Sequence, residues 1–253
     1  MRFASLGSGS RGNGTLVSHG NTTLLVDCGF SAKEAEKRLE QVALTAKDLT
    51  AIVVTHEHAD HINGVRVLAR KYQLPIYATA GTAGCLTADL KDYIHEFSCH
   101  EQFEIDDIEI NPFPVPHDAR EPSQFVFSDG GAKVGLLTDV GMITPIIEQA
   151  LSGCQALLLE ANHDLTMLDN GEYPDHLKYR VGSKMGHLNN LQAGSLLKKI
   201  DTTELQHIMA MHLSEKNNHP DIVKTVFSEA LECEQDWIGI ADQNLGFTWR
   251  DIA

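Results

Sequence analysis

The 253-residue sequence contains no uninterrupted apolar run of about 18 residues, so no membrane-spanning helix is expected. Its opening residues, Met1 to Gly7, are too short and too soon glycine-rich for a secretory signal. Cysteine is sparse and unpaired in pattern: Cys28, Cys85, Cys99, Cys154 and Cys233 are odd in number and never form a C-x-x-C pair. That usage predicts reduced, mostly buried thiols in a cytoplasmic protein. Linkers, repeats and low-complexity tracts are missing too, which leaves one domain over residues 1–253. Positive charge is the scarcest property, with 20 Lys and Arg against 35 Asp and Glu and a net charge of −15. A protein that grips nucleic acid with its whole surface is usually basic, so any nucleic-acid reading must rest on a local positive site.

What is present is ordinary for a globular chain: 42% hydrophobic and 22% charged residues, with ample length for a large core. Short apolar runs alternate with helical patterns. Strands are predicted at residues 2–6, 15–18, 22–26, 51–55, 74–78, 108–115, 125–127, 133–137, 156–159, 205–211, 237–240 and 245–249. Helices are predicted at 31–42, 63–72, 79–90, 142–151, 188–200 and 220–231. The pattern reads as mixed α/β. The loop Gly7-Ser8-Gly9-Ser10-Arg11-Gly12-Asn13-Gly14 has two readings, a phosphate cradle of backbone N–H groups or a plain hairpin connection.

The most informative stretch is His56-Glu57-His58-Ala59-Asp60-His61, directly after the apolar strand 51–55. Alternate residues at a strand mouth point the same way, so His56 and His58 can share one metal ion. Asp60 and His61, where the chain turns into a helix, can reach a second ion beside the first. Imidazole and carboxylate suit zinc, manganese or iron. Three more candidates follow predicted strands: His117, Asp139 and His212. Strand-end residues from distant parts of a chain converge on one rim, where loops are shaped for chemistry. His95, Cys99 and His100 lack a fourth ligand at typical spacing and read as surface or loop residues.

The central stretch resembles the H-x-H-x-D-H signature of the metallo-β-lactamase superfamily, in particular its dinuclear hydrolases. That resemblance implies an α/β fold of four layers, an αββα sandwich of two mixed sheets with helices outside. Carried over residue by residue, it implies His56, His58 and His117 on one divalent ion and Asp60, His61 and His212 on another. Asp139 bridges the two, and Asp27 braces the site from behind. Zinc or manganese is the expected metal, with iron as a further candidate. Two divalent ions against Asp60, Asp139 and a bridging hydroxide leave a local charge of about +1, so an acidic protein can still bind an anionic diester here.

The run Val115-Pro116-His117-Asp118-Ala119 is similar to the P-H-D-A context of phosphodiesterase branches and unlike the P-G-H-T-P-G context of thioester hydrolases. Glu160-Ala161-Asn162-His163-Asp164 and Gly186-His187-Leu188-Asn189-Asn190 are similar to the glutamate and histidine segments of tRNase Z-like nucleases. This implies His187 as the acid that protonates the leaving oxygen and Glu160 as its orienter. Leu188-Asn189 replaces that family's serine-threonine pair, which counts against tRNA processing itself. Together with residues 7–13 and 212–218, these segments resemble the YycJ/WalJ-like branch, DNA exonucleases acting from the 5′ end. The expectation is a dinuclear phosphodiesterase, a DNA exonuclease working 5′ to 3′ on single-stranded ends through a metal-bridging hydroxide, with Asp60 also catalytic. RNA is the second nucleic-acid candidate. His163, Arg11, Lys178, Arg180 and Lys184 are the expected substrate contacts. The alternative is a small-molecule metallohydrolase acting on a thioester, lactone or cyclic phosphodiester.

Overall fold

The computed structural model describes residues 1–253. Strands β1 (Arg2–Gly7), β2 (Gly14–His19), β3 (Thr22–Val26), β4 (Ala51–Val53), β5 (Ile76–Thr79) and β6 (Ile94–Phe97) open the chain. They are followed by β7 (Phe103–Ile105), β8 (Ile108–Pro114), β9 (Ser123–Ser128), β10 (Lys133–Leu137), β11 (Ala156–Glu160), β12 (His207–Met211), β13 (Gly239–Ile240) and β14 (Phe247–Asp251). Two seven-stranded mixed sheets result, ordered β14-β1-β2-β3-β4-β5-β6 and β13-β12-β11-β10-β9-β8-β7. The helices are α1 (Ala32–Gln41), α2 (Ala59–Ile62), α3 (Val65–Tyr72), α4 (Ala80–Ala83), α5 (Pro145–Leu151), α6 (Leu165–Asn170), α7 (Asp175–Val181), α8 (Asn190–Leu197) and α9 (Pro220–Leu231). None is long and apolar enough to cross a membrane.

Side-chain alternation along the strands explains the layering. Leu24, Val26, Ala51 and Val53 of the first sheet meet Phe125, Phe127, Val134, Leu136, Leu158 and Met209 of the second in a middle apolar layer. The intervening residues Leu25, Ile52 and Val54 turn outward against Ala35 and Leu39 of α1 and Val65, Leu68 and Ala69 of α3. On the far side Leu157, Leu159, Ile208 and Ala210 meet Ile147 of α5, Ala193, Leu196 and Leu197 of α8, and Val223 and Phe227 of α9. Strands apolar on both faces therefore sit inside a four-layer αββα sandwich. Each large side chain so buried, such as Phe125 or Phe127, contributes roughly 1.5–3 kcal/mol.

Several expected boundaries shift for local reasons. The helix expected at 79–90 is the single turn α4 and a 3-10 turn Ala88–Tyr93, with Gly81 and Gly84 weakening a continuous helix. The helix expected from 63 starts at Val65, after Gly64. Residues 165–185, for which no element is predicted, contain α6 and α7. Strands β6 and β7 were not anticipated. The terminal strands run Gly239–Ile240 and Phe247–Asp251 rather than 237–240 and 245–249. All five cysteines are unpaired; Cys28, Cys99 and Cys154 are buried, Cys233 is half-buried and Cys85 is exposed.

Candidate metal centre

The site forms where strand ends of both sheets meet. β4 delivers His56 and His58, and the short α2 carries Asp60 and His61. From the second sheet, β8 delivers His117, β10 delivers Asp139 and β12 delivers His212. The ligand atoms of His56, His58 and His117 lie within 4.8 Å of one another, and so do those of Asp60, His61, Asp139 and His212. These are the two groups expected from the sequence. Asp139 lies between them, with Oδ2 3.1 Å from His61 Nε2 and Oδ1 3.9 Å from His117 Nε2.

Three of the imidazoles are oriented from behind, which decides the nitrogen left for an ion. Asp27 is almost fully buried; its Oδ2 accepts from His61 Nδ1 at 2.7 Å and from the Thr55 hydroxyl at 2.8 Å. His61 therefore presents Nε2 forward, as the expected bracing role for Asp27 requires. His56 Nδ1 meets Thr55 Oγ1 at 2.9 Å, while its buried Nε2 has no partner in the protein. An orphaned imidazole nitrogen facing two more imidazoles fits a metal ligand. His117 Nδ1 donates to the Gly186 carbonyl at 3.0 Å, and its Nε2 is turned toward His58 Nδ1 at 3.3 Å.

The charges and backbone agree with that reading. Burial pushes the His56 imidazole well below its ordinary pKa, helped by the neighbouring His61, so it is neutral as a ligand must be. Burial opposes charge on Asp139, but His212 and His61 hold its carboxyl well below the usual range. Asp27, Asp139 and His212 adopt left-handed backbone angles, φ 61°, 54° and 52°. Non-glycine residues rarely do so, and such strain persists where surrounding contacts over-determine the geometry.

A third group joins Asp139 and His212 to Glu160 and His187. Glu160 is fully buried at the end of β11. Its carboxylate accepts from His187 Nδ1 at 2.8 Å and from the backbone N–H groups of Asp139, Val140 and Leu188 at 2.9–3.1 Å. Burial alone would lower the pKa of His187, but the Glu160 carboxylate, with Asp139 and Asp60 beyond it, raises it to about 9. Glu160 thus favours the protonated ring, and the His187 side chain is 20% exposed. It opens on a cleft of about 210 Å³ whose wall includes Ser10, His58, Asp60, Asp139, Asn162, Arg180, His187 and His212. A larger groove of about 550 Å³ near Cys99 and His100 holds no cluster of ligand atoms. His95 lies on β6 with its ring stacked on Tyr77.

The expected substrate contacts divide. Arg180 lies on the cleft wall, with Nε donating to Asp118 Oδ2 at 2.6 Å. Lys178 and Lys184 line a separate depression with Tyr179 on the other side of α7. Lys178 and Arg180 are two apart on α7 and so face different ways, and Lys184 lies beyond its end, so these three do not form one cluster. Arg11 lies outside the cleft, its guanidinium engaged by Glu215 and Asn244. His163 is enclosed at 1% exposure, with Nδ1 facing Asn162 Oδ1, and it is Asn162 that lines the cleft. The loop 7–14 connects the antiparallel strands β1 and β2, as the hairpin reading expects, and only its Ser10 lines the cleft. The N–H groups of Gly7, Ser8, Gly9, Arg11, Gly12 and Asn13 all donate within the protein.

The sequence matches the beta-lactamase superfamily domain over residues 22–212. It is 38% identical over 239 residues to exodeoxyribonuclease YycJ of Bacillus anthracis, covering 92% of this chain and 89% of that protein. The chain belongs to the YycJ/WalJ branch of the metallo-β-lactamase superfamily. Exodeoxyribonuclease WalJ of Streptococcus pneumoniae is 34% identical over 249 residues, covering 95% and 91% of the two chains. Among solved structures, zinc-bound PqqB of Methylobacterium extorquens superposes with a TM-score of 0.75 at 17% identity, over 99% and 100% of the chains, which speaks to the fold. This member of the branch is therefore a hydrolase of metallo-β-lactamase fold, and its His and Asp clusters suit divalent metal.

Proposed function

We propose that the protein is a dinuclear metal-dependent DNA exonuclease, a single cytoplasmic domain that digests single-stranded ends 5′ to 3′. The observation that carries this reading is Asp139, with one carboxylate oxygen toward each ligand cluster, next to an imidazole held by Glu160. In this reading His56, His58 and His117 hold one ion, Asp60, His61 and His212 the other, and Asp139 both. When bound, two divalent ions supply an activated water and offset the charge of a phosphodiester. The residues around them do the rest. Asp27 and Thr55 fix the faces that His61 and His56 present. With Nδ1 committed to Glu160, His187 keeps Nε2 for the proton that the leaving oxygen takes up.

The narrow cleft supports an end rather than a duplex interior as the substrate. Arg180 uses only Nε on Asp118, so its terminal nitrogens are available to a phosphate in the cleft. A strand leaving over α7 would meet Lys178, whose ammonium donates to the Asp169 carbonyl at 2.6 Å, and Lys184 next. The relatives named exodeoxyribonuclease support DNA as the polymer. The decisive experiment combines metal analysis with single-stranded DNA labelled or blocked at either end, and with matched RNA. Two zinc or manganese ions per chain, and digestion stopped only by a blocked 5′ end, are expected. Indifference to every oligonucleotide with turnover of a thioester or cyclic diester would replace this reading with a small-molecule hydrolase, which the cleft volume also accommodates.

A further inference from the structure

The glycine-rich stretch, residues 7–14, is unused by the chemistry above, yet it lies against the metal centre. Ser8 Oγ accepts from the His212 backbone N–H at 2.9 Å and lies 3.2 Å from Asn13 Oδ1. The Asn13 N–H donates to the Asp60 carbonyl at 2.8 Å, and Asn13 itself is only 6% exposed. Because Asn13 Oδ1 accepts from the Gly9 N–H at 2.8 Å, the amide orientation is fixed with its NH₂ toward the centre. There Nδ2 lies 3.4 Å from Asp60 Oδ2 and 3.0 Å from His61 Nε2. The loop thus touches Asp60, His61 and His212, and makes no hydrogen bond to His56, His58 or His117. Its turn requires glycine: Gly9 and Gly12 both have φ +146°, and an added Cβ would lie 2.6 Å from Gln243 Oε1 or 2.7 Å from the Phe30 ring.

We propose that Asn13, supported by Ser8, is a positioning residue dedicated to the second ion, the one assigned to Asp60, His61 and His212. The proposal rests on the two-ion reading. Its physical basis is the weak hold on Asp60, which sits in the first turn of a four-residue helix with a side chain 24% exposed. Apart from candidate ligands, Asn13 is the only side chain that donates to its carboxylate. His212, in its left-handed conformation, donates its backbone N–H to Ser8, while its carbonyl accepts from Asn162 Nδ2 at 3.0 Å. Without the loop, the carboxylate turns to solvent and the second site loses its preformed shape. The first site keeps all of its contacts.

The test is a calorimetric titration of zinc into metal-stripped wild type, Asn13→Ala and Ser8→Ala. His58→Ala, which removes a ligand of the first ion, identifies which binding step belongs to which site. Wild type is expected to take up two ions. Asn13→Ala should bind the first with wild-type affinity and the second about 10–100-fold more weakly, with Ser8→Ala shifted in the same direction. Selectivity is the readout that a merely structural loop would not give. If both ions weaken in equal proportion, or neither changes, the proposal is wrong. Should Asn13→Ala not fold, Ser8→Ala carries the same comparison. A wild type that binds one ion overturns the two-ion reading together with the proposal. Two ions that both variants bind normally overturn the proposal alone.

Discussion

Replacing His187 by alanine removes the imidazole that faces the cleft and leaves the neighbouring contacts of Glu160 to three backbone N–H groups. General acid catalysis of this kind contributes about 10²–10⁴-fold, equivalent to roughly 3–5 kcal/mol of barrier. An oligonucleotide, whose leaving oxygen must be protonated, should therefore lose about that factor in kcat. A nitrophenyl phosphodiester has a leaving group stable as an anion and should lose less than about tenfold. The geometry also allows a rival role, because His187 belongs to a group of potential ligand atoms with Asp139, Glu160 and His212. Metal content separates the two: an acid leaves it unchanged, whereas a ligand takes an ion with it. The assay is thus paired, metal analysis of the purified variant beside steady-state rates on both substrates. Equal loss of rate on the two substrates, or loss of metal, refutes the acid role.

Asp139→Ala should abolish turnover and lower the metal content of the purified protein, because its carboxylate faces both clusters; retention of two ions would show that it bridges nothing. Chelation should abolish activity and added zinc or manganese should restore it, checked on a single-stranded oligonucleotide. The double variant Lys178→Ala, Lys184→Ala should bind oligonucleotides more weakly, with the salt slope reduced by about 0.7 per lost phosphate contact, while its rate on a small diester persists. An unchanged slope would make these residues a solvated face. Burial lowers the His163 pKa from 6.5 to about 4, so its contribution to stability is complete above pH 6.5 and is lost as pH falls toward 4. His163→Gln should flatten that acid limb in urea titrations by up to roughly 3 kcal/mol relative to wild type; an identical limb would show that the ring is accessible.

The candidate metal centre was legible as a cluster because metal-binding chemistry restricts residue types and spacing. Three imidazoles and a carboxylate within six residues after a buried strand have few other uses, and His117, Asp139 and His212 each follow an apolar run. The middle strands were legible because both faces are apolar. β6 and β7 escaped notice for the opposite reason: they are short edge strands, and His95, Glu96 and Glu104 point to solvent. The spread of Lys178 and Lys184 from Arg180 depends on which faces α7 turns to its neighbours, which spacing alone does not reveal. Asn13 was hidden in a loop whose glycines advertised phosphate binding. Only the folded chain brings that loop to Asp60, 47 positions away.

Each proposed ion draws on both halves of the sandwich. His56, His58, Asp60 and His61 come from the first sheet and its following helix, while His117, Asp139 and His212 come from the second. A loaded centre is therefore a stitch across the seam between two sheets otherwise joined at that rim by loops. Free ion at 1,000 times its dissociation constant would add about 4 kcal/mol to the folded state. That stabilisation falls on the apposition of the sheets rather than on either sheet alone. Metal supply would then bear on how firmly the two halves stay apposed, as well as on turnover.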